Sequence, residues 1–327
     1  MKVTIDGIEI DVPKGTTILQ AARMIGPEVA PPTMCYYSKL KTSGGYCRTC
    51  IVKVTKGSAQ NPNPMPKPVA SCRTEVMEGM EVQNITSPEI IEARKGVVEF
   101  LLINHPLDCP VCDQAGECKL QDLGYEHGAA GTRYEFKRRE YEMIDIGDKI
   151  KLHMNRCILC YRCVKTAEQI TDGRVHGVVH RGDAAEISTY IEQAISNDFS
   201  GNVIDVCPVC ALTDKTFRFK QRVWFTKPVD AHRHCTKCSG KVRLWFKGEE
   251  VLRVTARKDQ WDEVEEFICN DCRYDHKKKS DWTVEGPSAV SRHSVISQNH
   301  YQHLNELKVK AMKEQEALGF MDLHKKP

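Results

Sequence analysis

Sixteen cysteines set the chemistry open to this sequence, and they fall into four groups, each with its own spacing. The first, Cys35-x11-Cys47-x2-Cys50-x21-Cys72, puts a pair on one tight loop and adds two distant single ligands. In the second, His105 precedes Cys109-x2-Cys112-x5-Cys118. The third, Cys157-x2-Cys160-x2-Cys163, is followed at a distance by Cys207-Pro208 and Cys210. The fourth, Cys235-x2-Cys238-x30-Cys269-x2-Cys272, joins two CxxC knuckles. Thiolates at such spacings hold zinc or iron–sulfur clusters. The chain opens MKVTIDGIEIDV, with neither the apolar core of an export signal nor the Arg-rich, acid-poor pattern of a transit segment. The mature fold is expected to start at residue 1, in a reducing compartment where thiolates persist as ligands more readily than as disulfides.

Taken one by one, the groups differ in what they can hold. The first resembles plant-type 2Fe-2S ferredoxins, whose first spacing is shorter. Gly44 and Gly45 just before Cys47 would let the backbone approach the sulfides; zinc or unconnected structural cysteines are the other readings. In the second, three thiolates and the imidazole of His105 suffice for one 4Fe-4S cluster, a neutral ligand replacing an anionic one. Asn104-His105-Pro106 ends an apolar helix and opens onto the cysteine loop, which is what favours ligation over a plain surface histidine. The third is the bacterial-ferredoxin run, in which a fourth cysteine after three residues serves a second cluster. That place is Ala167 here, and Cys207-Pro208 supplies the remote ligand of a single 4Fe-4S cluster on Cys157, Cys160, Cys163 and Cys207. Cys210 is surplus, either a buried structural thiol or a ligand exchanging with Cys207. In the fourth, zinc is favoured over 4Fe-4S on Cys235, Cys238, Cys269 and Cys272, although the loop between knuckles exceeds the usual roughly 15–20 residues. His232, His234 and His276 are expected to be solvated bystanders. Arg48 and Arg156 are candidate charges beside the clusters, with solvated loop arginines as the alternative.

The elements that must position these ligands can be read from pattern. Residues 2–12 alternate about Asp6-Gly7, a hairpin signal, and Thr16 or Thr17 caps a helix through Met24. Ile51–Val54 reads as a strand and Asn61–Pro68 as a Pro-rich insertion. Ser87-Pro88 starts a helix over 88–103 that delivers His105. Arg133–Asp148 reads as a charged connector, Lys149–Met154 leads into the third group, and 242–254 reads as two strands about a Lys247–Glu250 turn. The expected fold class is α+β multidomain: a β-grasp 2Fe-2S ferredoxin domain over 1–83, a helical one-His/three-Cys segment over 84–128, and a ferredoxin-like 4Fe-4S domain over 129–224. A small β-rich CxxC/CxxC unit over 225–286 and a tail over 287–327, disordered or docked on a partner and containing the amphipathic stretch Tyr301–Leu318, complete it.

With 28% charged residues and a formal net charge of +3, the chain lacks the footprint of a nucleic-acid binder. The longest apolar run, Val97–Ile103, is interrupted by Glu99 and falls short of the roughly 18 residues of a membrane span. No GxGxxG after a strand, no Walker A motif and no acid–base or nucleophile constellation is present, so no catalytic residue is assigned.

A 2Fe-2S module, a one-His/three-Cys group and a CxxCxxC run with a remote Cys-Pro, in that order over about residues 1–275, resemble the large iron–sulfur subunit (75 kDa type) of respiratory complex I, the proton-translocating NADH:quinone oxidoreductase. The stretch Gly201–Thr213 resembles a family segment with Gly at the place of Cys210, and Val242 stands at the third position of the family's CxxCxxxC, which is why zinc leads at Cys235. The resemblance implies a shortened form without the molybdopterin-like C-terminal domain. It also implies electron entry at the Cys35 set, passage to the Cys157 set and exit at the His105 set, so that spatial order differs from sequence order. Implied partners are an FMN/NADH-binding subunit, a thioredoxin-like 2Fe-2S subunit, an 8Fe ferredoxin-like subunit and quinone-site subunits, at the cytoplasmic face of a bacterial inner membrane, with no nucleic acid and no direct span. The alternatives are an electron-input subunit of an NAD-linked hydrogenase or formate dehydrogenase, and a zinc-dependent binding adaptor using the Cys235 unit and Lys277–Lys279.

Overall fold

The alternation of residues 2–11 produces strands β1 (Lys2–Ile5) and β2 (Ile8–Asp11), joined at Asp6 and Gly7, whose φ angles of 48° and 85° suit a tight hairpin. Thr17 caps helix α1 (Ile18–Ile25) in a capping box with Gln20. Strands β3 (Ile51–Lys56), β4 (Val69–Ala70) and β5 (Met80–Gln83) complete a sheet of order β2-β1-β5-β3-β4, in which only β1 and β5 run parallel. Ile18, Ala21 and Ala22 of α1 bury against Val3, Ile5, Val52, Val54 and Val82 of that sheet. The structure, a computed structural model, describes residues 1–128, 131, 133–170, 176–189 and 194–287.

Helix α2 (Pro88–Leu102) has Pro88 in its first turn, where a missing N–H costs nothing, and Ser87 at its cap makes no side-chain cap bond. Arg94, in the middle of a charged stretch, is buried instead of solvated: Nε donates to Thr49 O and Nη2 to Ile51 O, each at 3.0 Å, tying α2 to the end of the first cysteine loop. Helix α3 (Lys119–His127) packs against α2. The charged connector ends as a strand, because Ile146 of β6 (Ile144–Gly147) is buried in the core and β6 pairs with β7 (Ile150–Leu152), which pairs in turn with β10 (Leu212–Asp214). Between these lie α4 (Arg162–Gln169), the hairpin β8 (His176–Val179) and β9 (Glu186–Thr189), and α5 (Asn202–Val206).

The last unit has four antiparallel strands where pattern suggests two. Order β13-β12-β11-β14 is built from β11 (Lys227–His232), β12 (Lys241–Lys247), β13 (Glu250–Thr255) and β14 (Thr283–Pro287). β11 carries Pro228 and a bulge, and β14 carries Gly286 and Pro287, so neither shows a clean two-residue period. The core of this unit takes in Tyr37 and Leu40 of the first cysteine loop and Val206 of α5. Glu263 locks that junction: its carboxylate accepts from Arg23 Nη1 at 2.8 Å, Ser38 N at 2.7 Å and Ser38 Oγ at 2.5 Å. The stretch Tyr301–Leu318 and the tail beyond Pro287 lie outside the described residues. Among the described residues no helix is long and apolar enough to cross a membrane.

Candidate iron–sulfur and metal sites

All sixteen cysteines are described, and none forms a disulfide. In the first set every thiol is buried. Gly44 and Gly45 turn the loop at φ of 97° and 89°, and a Cβ on Gly44 would stand 3.1 Å from Cys72 Sγ. The N–H groups of Tyr46 and Cys47 donate to Cys35 Sγ, each at 3.4 Å, and Thr49 Oγ1 lies 3.2 Å from Cys47 Sγ. A hydrogen bond between Cys35 and Cys47 raises the first thiol and holds the second down to about 5. The bond between Cys50 and Cys72 likewise lowers Cys50 and raises Cys72. Paired sulfurs, aimed N–H groups and a glycine cradle fit a 2Fe-2S group.

In the second set Cys112 and Cys118 are buried and Cys109 is exposed. Nδ1 of His105 is buried with no hydrogen-bond partner, and burial pushes the imidazole down to about 4, leaving it a neutral donor. Arg156 Nη1 donates to Cys210 Sγ at 3.2 Å, and a hydrogen bond between the Cys210 and Cys112 thiols shifts both, raising Cys210. That bond first, then the Arg156 charge, hold the Cys112 thiol down to about 7. Arg156 is 3% exposed and paired with Asp108, so it is no solvated loop arginine, whereas Arg48 is exposed.

Cys157, Cys160, Cys163 and Cys207 line one small cavity with Leu152, Ile158 and Val209. Left-handed residues Leu159 (φ 51°) and Tyr161 (φ 61°) wind the run around it. Burial raises all four thiols, Cys160 to about 12. An apolar cavity walled by neutral thiols fits a cluster whose binding takes the protons off. Ala167 is packed in α4 among buried residues.

The Sγ atoms of Cys235, Cys238, Cys269 and Cys272 all lie within 4.8 Å of one another. Cys235 to Cys269 is 3.7 Å, Cys238 to Cys269 is 3.6 Å and Cys238 to Cys272 is 3.7 Å. Sulfurs around a tetrahedral zinc at about 2.3 Å stand about 3.8 Å apart. Backbone N–H groups of Lys237, Gly240 and Cys272 donate to Cys235, Cys238 and Cys269 Sγ at 3.4, 3.4 and 3.5 Å. Burial opposes the Cys235 thiolate, but the N–H groups of Lys237 and Cys238 and the facing thiols outweigh it and bring it to about 7. His232 pairs with Glu285 at 2.7 Å, His276 stands between Asp271 and Asp281, and His234 is exposed.

Cys35, Cys47, Cys118, Cys160, Cys163 and Cys207 share one apolar core. The third set touches the first through Tyr46 and Tyr161, edge to face at 4.6 Å, and through Arg162 Nη2, which donates to Tyr36 O at 2.7 Å. It touches the second where Cys118 Sγ meets Pro208 O at 3.9 Å. Spacing alone does not single out Arg162, Tyr46 or Tyr161. The one signal that could have found Arg162 is its charge, set between two ligands.

Residues 1–87 match a 2Fe-2S iron–sulfur cluster binding domain, 94–133 the NADH-ubiquinone oxidoreductase-G iron–sulfur binding region, and 147–213 the ferredoxin-like domain of NADH-quinone oxidoreductase subunit 3. The G-type subunit of NADH-quinone oxidoreductase from Rickettsia bellii is 36% identical over 98% of this chain and 45% of its own length. The 75 kDa subunit of NADH-ubiquinone oxidoreductase from Reclinomonas americana is 41% identical over 84% of the chain and 38% of that protein. The chain belongs to this G-type, or 75 kDa, family. The mitochondrial NADH dehydrogenase (ubiquinone) iron–sulfur protein 1 of Solanum tuberosum is 40% identical over 84% of the chain and 35% of its own length. This family member thus spans less than half the length of these relatives. A chain of a solved NAD+-reducing NiFe hydrogenase superposes with a TM-score of 0.57 at 24% identity, over 68% of this chain and 90% of that one, a likeness of fold.

Proposed function

We propose that this chain is an electron-wiring subunit of NADH:quinone oxidoreductase, relaying single electrons from an FMN/NADH-binding partner toward quinone-site partners. Cys35, Cys47, Cys50 and Cys72 would hold a 2Fe-2S cluster, and His105, Cys109, Cys112 and Cys118 a 4Fe-4S cluster. Cys157, Cys160, Cys163 and Cys207 would hold a second 4Fe-4S cluster. When bound, such clusters supply reversible one-electron oxidation and reduction. The chain's own residues fix the order and the surroundings of the sites. The observation that carries the reading is the contact of the third ligand set with both others, through Tyr46, Tyr161 and Arg162 on one side and Pro208 on the other. This is the order needed for entry at the Cys35 set and exit at the His105 set.

For Cys235, Cys238, Cys269 and Cys272, sulfur separations of 3.6 to 3.7 Å support zinc over the wider 4Fe-4S cage, with a folding role. The same reading puts the chain at the cytoplasmic face of a bacterial inner membrane, held by thioredoxin-like 2Fe-2S and 8Fe ferredoxin-like partners, and takes the β-grasp, one-His/three-Cys, ferredoxin-like and CxxC/CxxC segments as its domains.

Iron, sulfide and zinc analysis of the anaerobically purified chain tests this directly. Three clusters and a zinc require about ten irons and one zinc; about fourteen irons without zinc would replace the zinc by a further cluster, and well under ten in loaded protein would end the three-cluster reading. Replacing Cys160 with Ser should abolish one 4Fe-4S signal in electron paramagnetic resonance and leave the 2Fe-2S signal. Co-purification with a nickel or molybdenum catalytic subunit, instead of quinone-reducing membrane subunits, would favour the hydrogenase or formate dehydrogenase alternative.

A further inference from the structure

Two of the buried guanidiniums face carboxylates, Arg156 against Asp108 and Arg273 against Asp205. Arg162, 2% exposed, does not. Its Nη2 donates to Tyr36 O at 2.7 Å and its Nη1 to Val206 O at 3.5 Å, its Nε is buried without a partner, and among the described residues no carboxylate pairs with it. Its place in the backbone sharpens the problem. Arg162 opens α4, whose first turn holds no acidic residue, so the cation sits at the positive end of the helix. An arginine does not shed its proton to escape burial, and an uncompensated buried charge is strongly destabilising.

What surrounds this charge is ligand sulfur. Cys163 follows Arg162 in the chain and Cys160 stands two residues before it. Tyr36 O belongs to the residue after Cys35, and Val206 O to the residue before Cys207. One arm of the fork is thus tied to the first ligand set and the other to the third, with the Tyr37 ring 5.0 Å from Cζ. Groups held by several thiolates carry negative charge and gain more on reduction. In a poorly screened interior a nearby fixed cation favours the more negative state.

We infer that Arg162 is a positioning residue that acts as the counter-charge shared by the first and third sites: its guanidinium, held between them by Tyr36 O and Val206 O, favours the reduced form of both clusters. The inference rests on the proposed Cys35 and Cys157 ligand sets. No bond is made or broken; the only change of state is one-electron uptake at each site.

The test is a redox titration, followed by electron paramagnetic resonance, of the intact cluster-loaded chain and its R162K, R162Q and R162M variants. R162Q keeps an N–H donor for Tyr36 O, and R162M keeps only bulk. In both, the reduced-to-oxidised ratios of the 2Fe-2S cluster and of the Cys157-set cluster at a fixed potential should each fall about three- to thirtyfold, tenfold being 59 mV for a one-electron couple. The one-His cluster should not move, and R162K, which keeps the charge and loses the fork, should stay within about threefold of the parent. Unshifted ratios in loaded R162Q and R162M overturn the inference, as does a shift of only one of the two clusters, an equal shift of all three, or an R162K shifted as far as R162M. If the neutral variants take up no cluster, R162K decides: a loaded R162K supports the charge, and an unloaded one overturns it by reducing Arg162 to a tie between loops. Absence of either signal from the parent is a different failure, that of the ligand sets themselves.

Discussion

At Gly44 the backbone and a sulfur compete for the same space. A methyl group there meets Cys72 Sγ at 3.1 Å and has to sit at φ of 97°, a conformation that costs an L-residue about 1–3 kcal/mol. We therefore expect G44A to lower the unfolding midpoint of the N-terminal module and its 2Fe-2S content, with the signal from the Cys157 set intact. The ratio of the two signals in one sample measures it, and an unchanged ratio would count against the glycine cradle. Local spacing made the ligand runs legible, since Cys157, Cys160 and Cys163 carry their pattern within seven positions. Arg94 and the partner of Cys210 were not legible in the same way, although Arg156 was. Arg94 sits in Glu92-Ala93-Arg94-Lys95, which reads as a solvent face, yet its acceptors are carbonyls at Thr49 and Ile51. Cys210 meets Cys112 across about a hundred residues, and no periodicity encodes that meeting.

At the scale of elements, the loop that follows β13 is a clamp as well as the carrier of the Cys269–Cys272 pair. Glu263 has a side-chain exposure of 0% and Arg23 one of 11%. Burial pushes the Glu263 carboxyl up, but Arg23 and the Ser38 donors outweigh it and hold it below the ordinary glutamate value. A depressed carboxyl contributes stability above its unfolded-state value and loses it as pH falls through the folded one. E263Q should thus cost about 3–5 kcal/mol near neutrality, leaving Arg23 without its carboxylate partner, and flatten the acid limb of the stability curve. Denaturant titrations at several pH values read both, and an acid limb as steep in E263Q as in the parent would remove Glu263 from the linkage. The two strands that pattern missed, β11 and β14, belong to the same β unit as β13. Their proline, glycine and bulge obscure alternation, and their stability comes from pairing with each other and with β12.

For the whole molecule, two of the hydrophobic cores among the described residues keep the fourth cysteine group apart from the other three. One encloses sulfurs from the first three ligand sets, and the other packs Trp282 against Cys269 and Cys272. A zinc chelator should therefore shift the fluorescence of the β unit and expose it to protease while leaving about ten irons and all cluster signals in place. Loss of iron in step with zinc would mean that the two cores are one cooperative unit. C272S should reproduce the chelator's effect, because three thiolates leave the fourth zinc position open to water. In the proposed complex, near-neutral net charge would leave shape and local pairs to hold the contacts, so high salt should detach the proposed partners less than a charge-driven complex would allow.

The Glu263 clamp has a consequence for biosynthesis. Ser38 waits for a carboxylate 225 residues further along, and the Tyr37 hydroxyl waits for the N–H of Val264. At about 5–20 residues per second, a ribosome covers that interval in roughly 11–45 s. The flank of the first cysteine loop emerges early and is sealed late, so under the proposed 2Fe-2S reading its thiols would be open to loading before Glu263 and Val264 close on Ser38 and Tyr37.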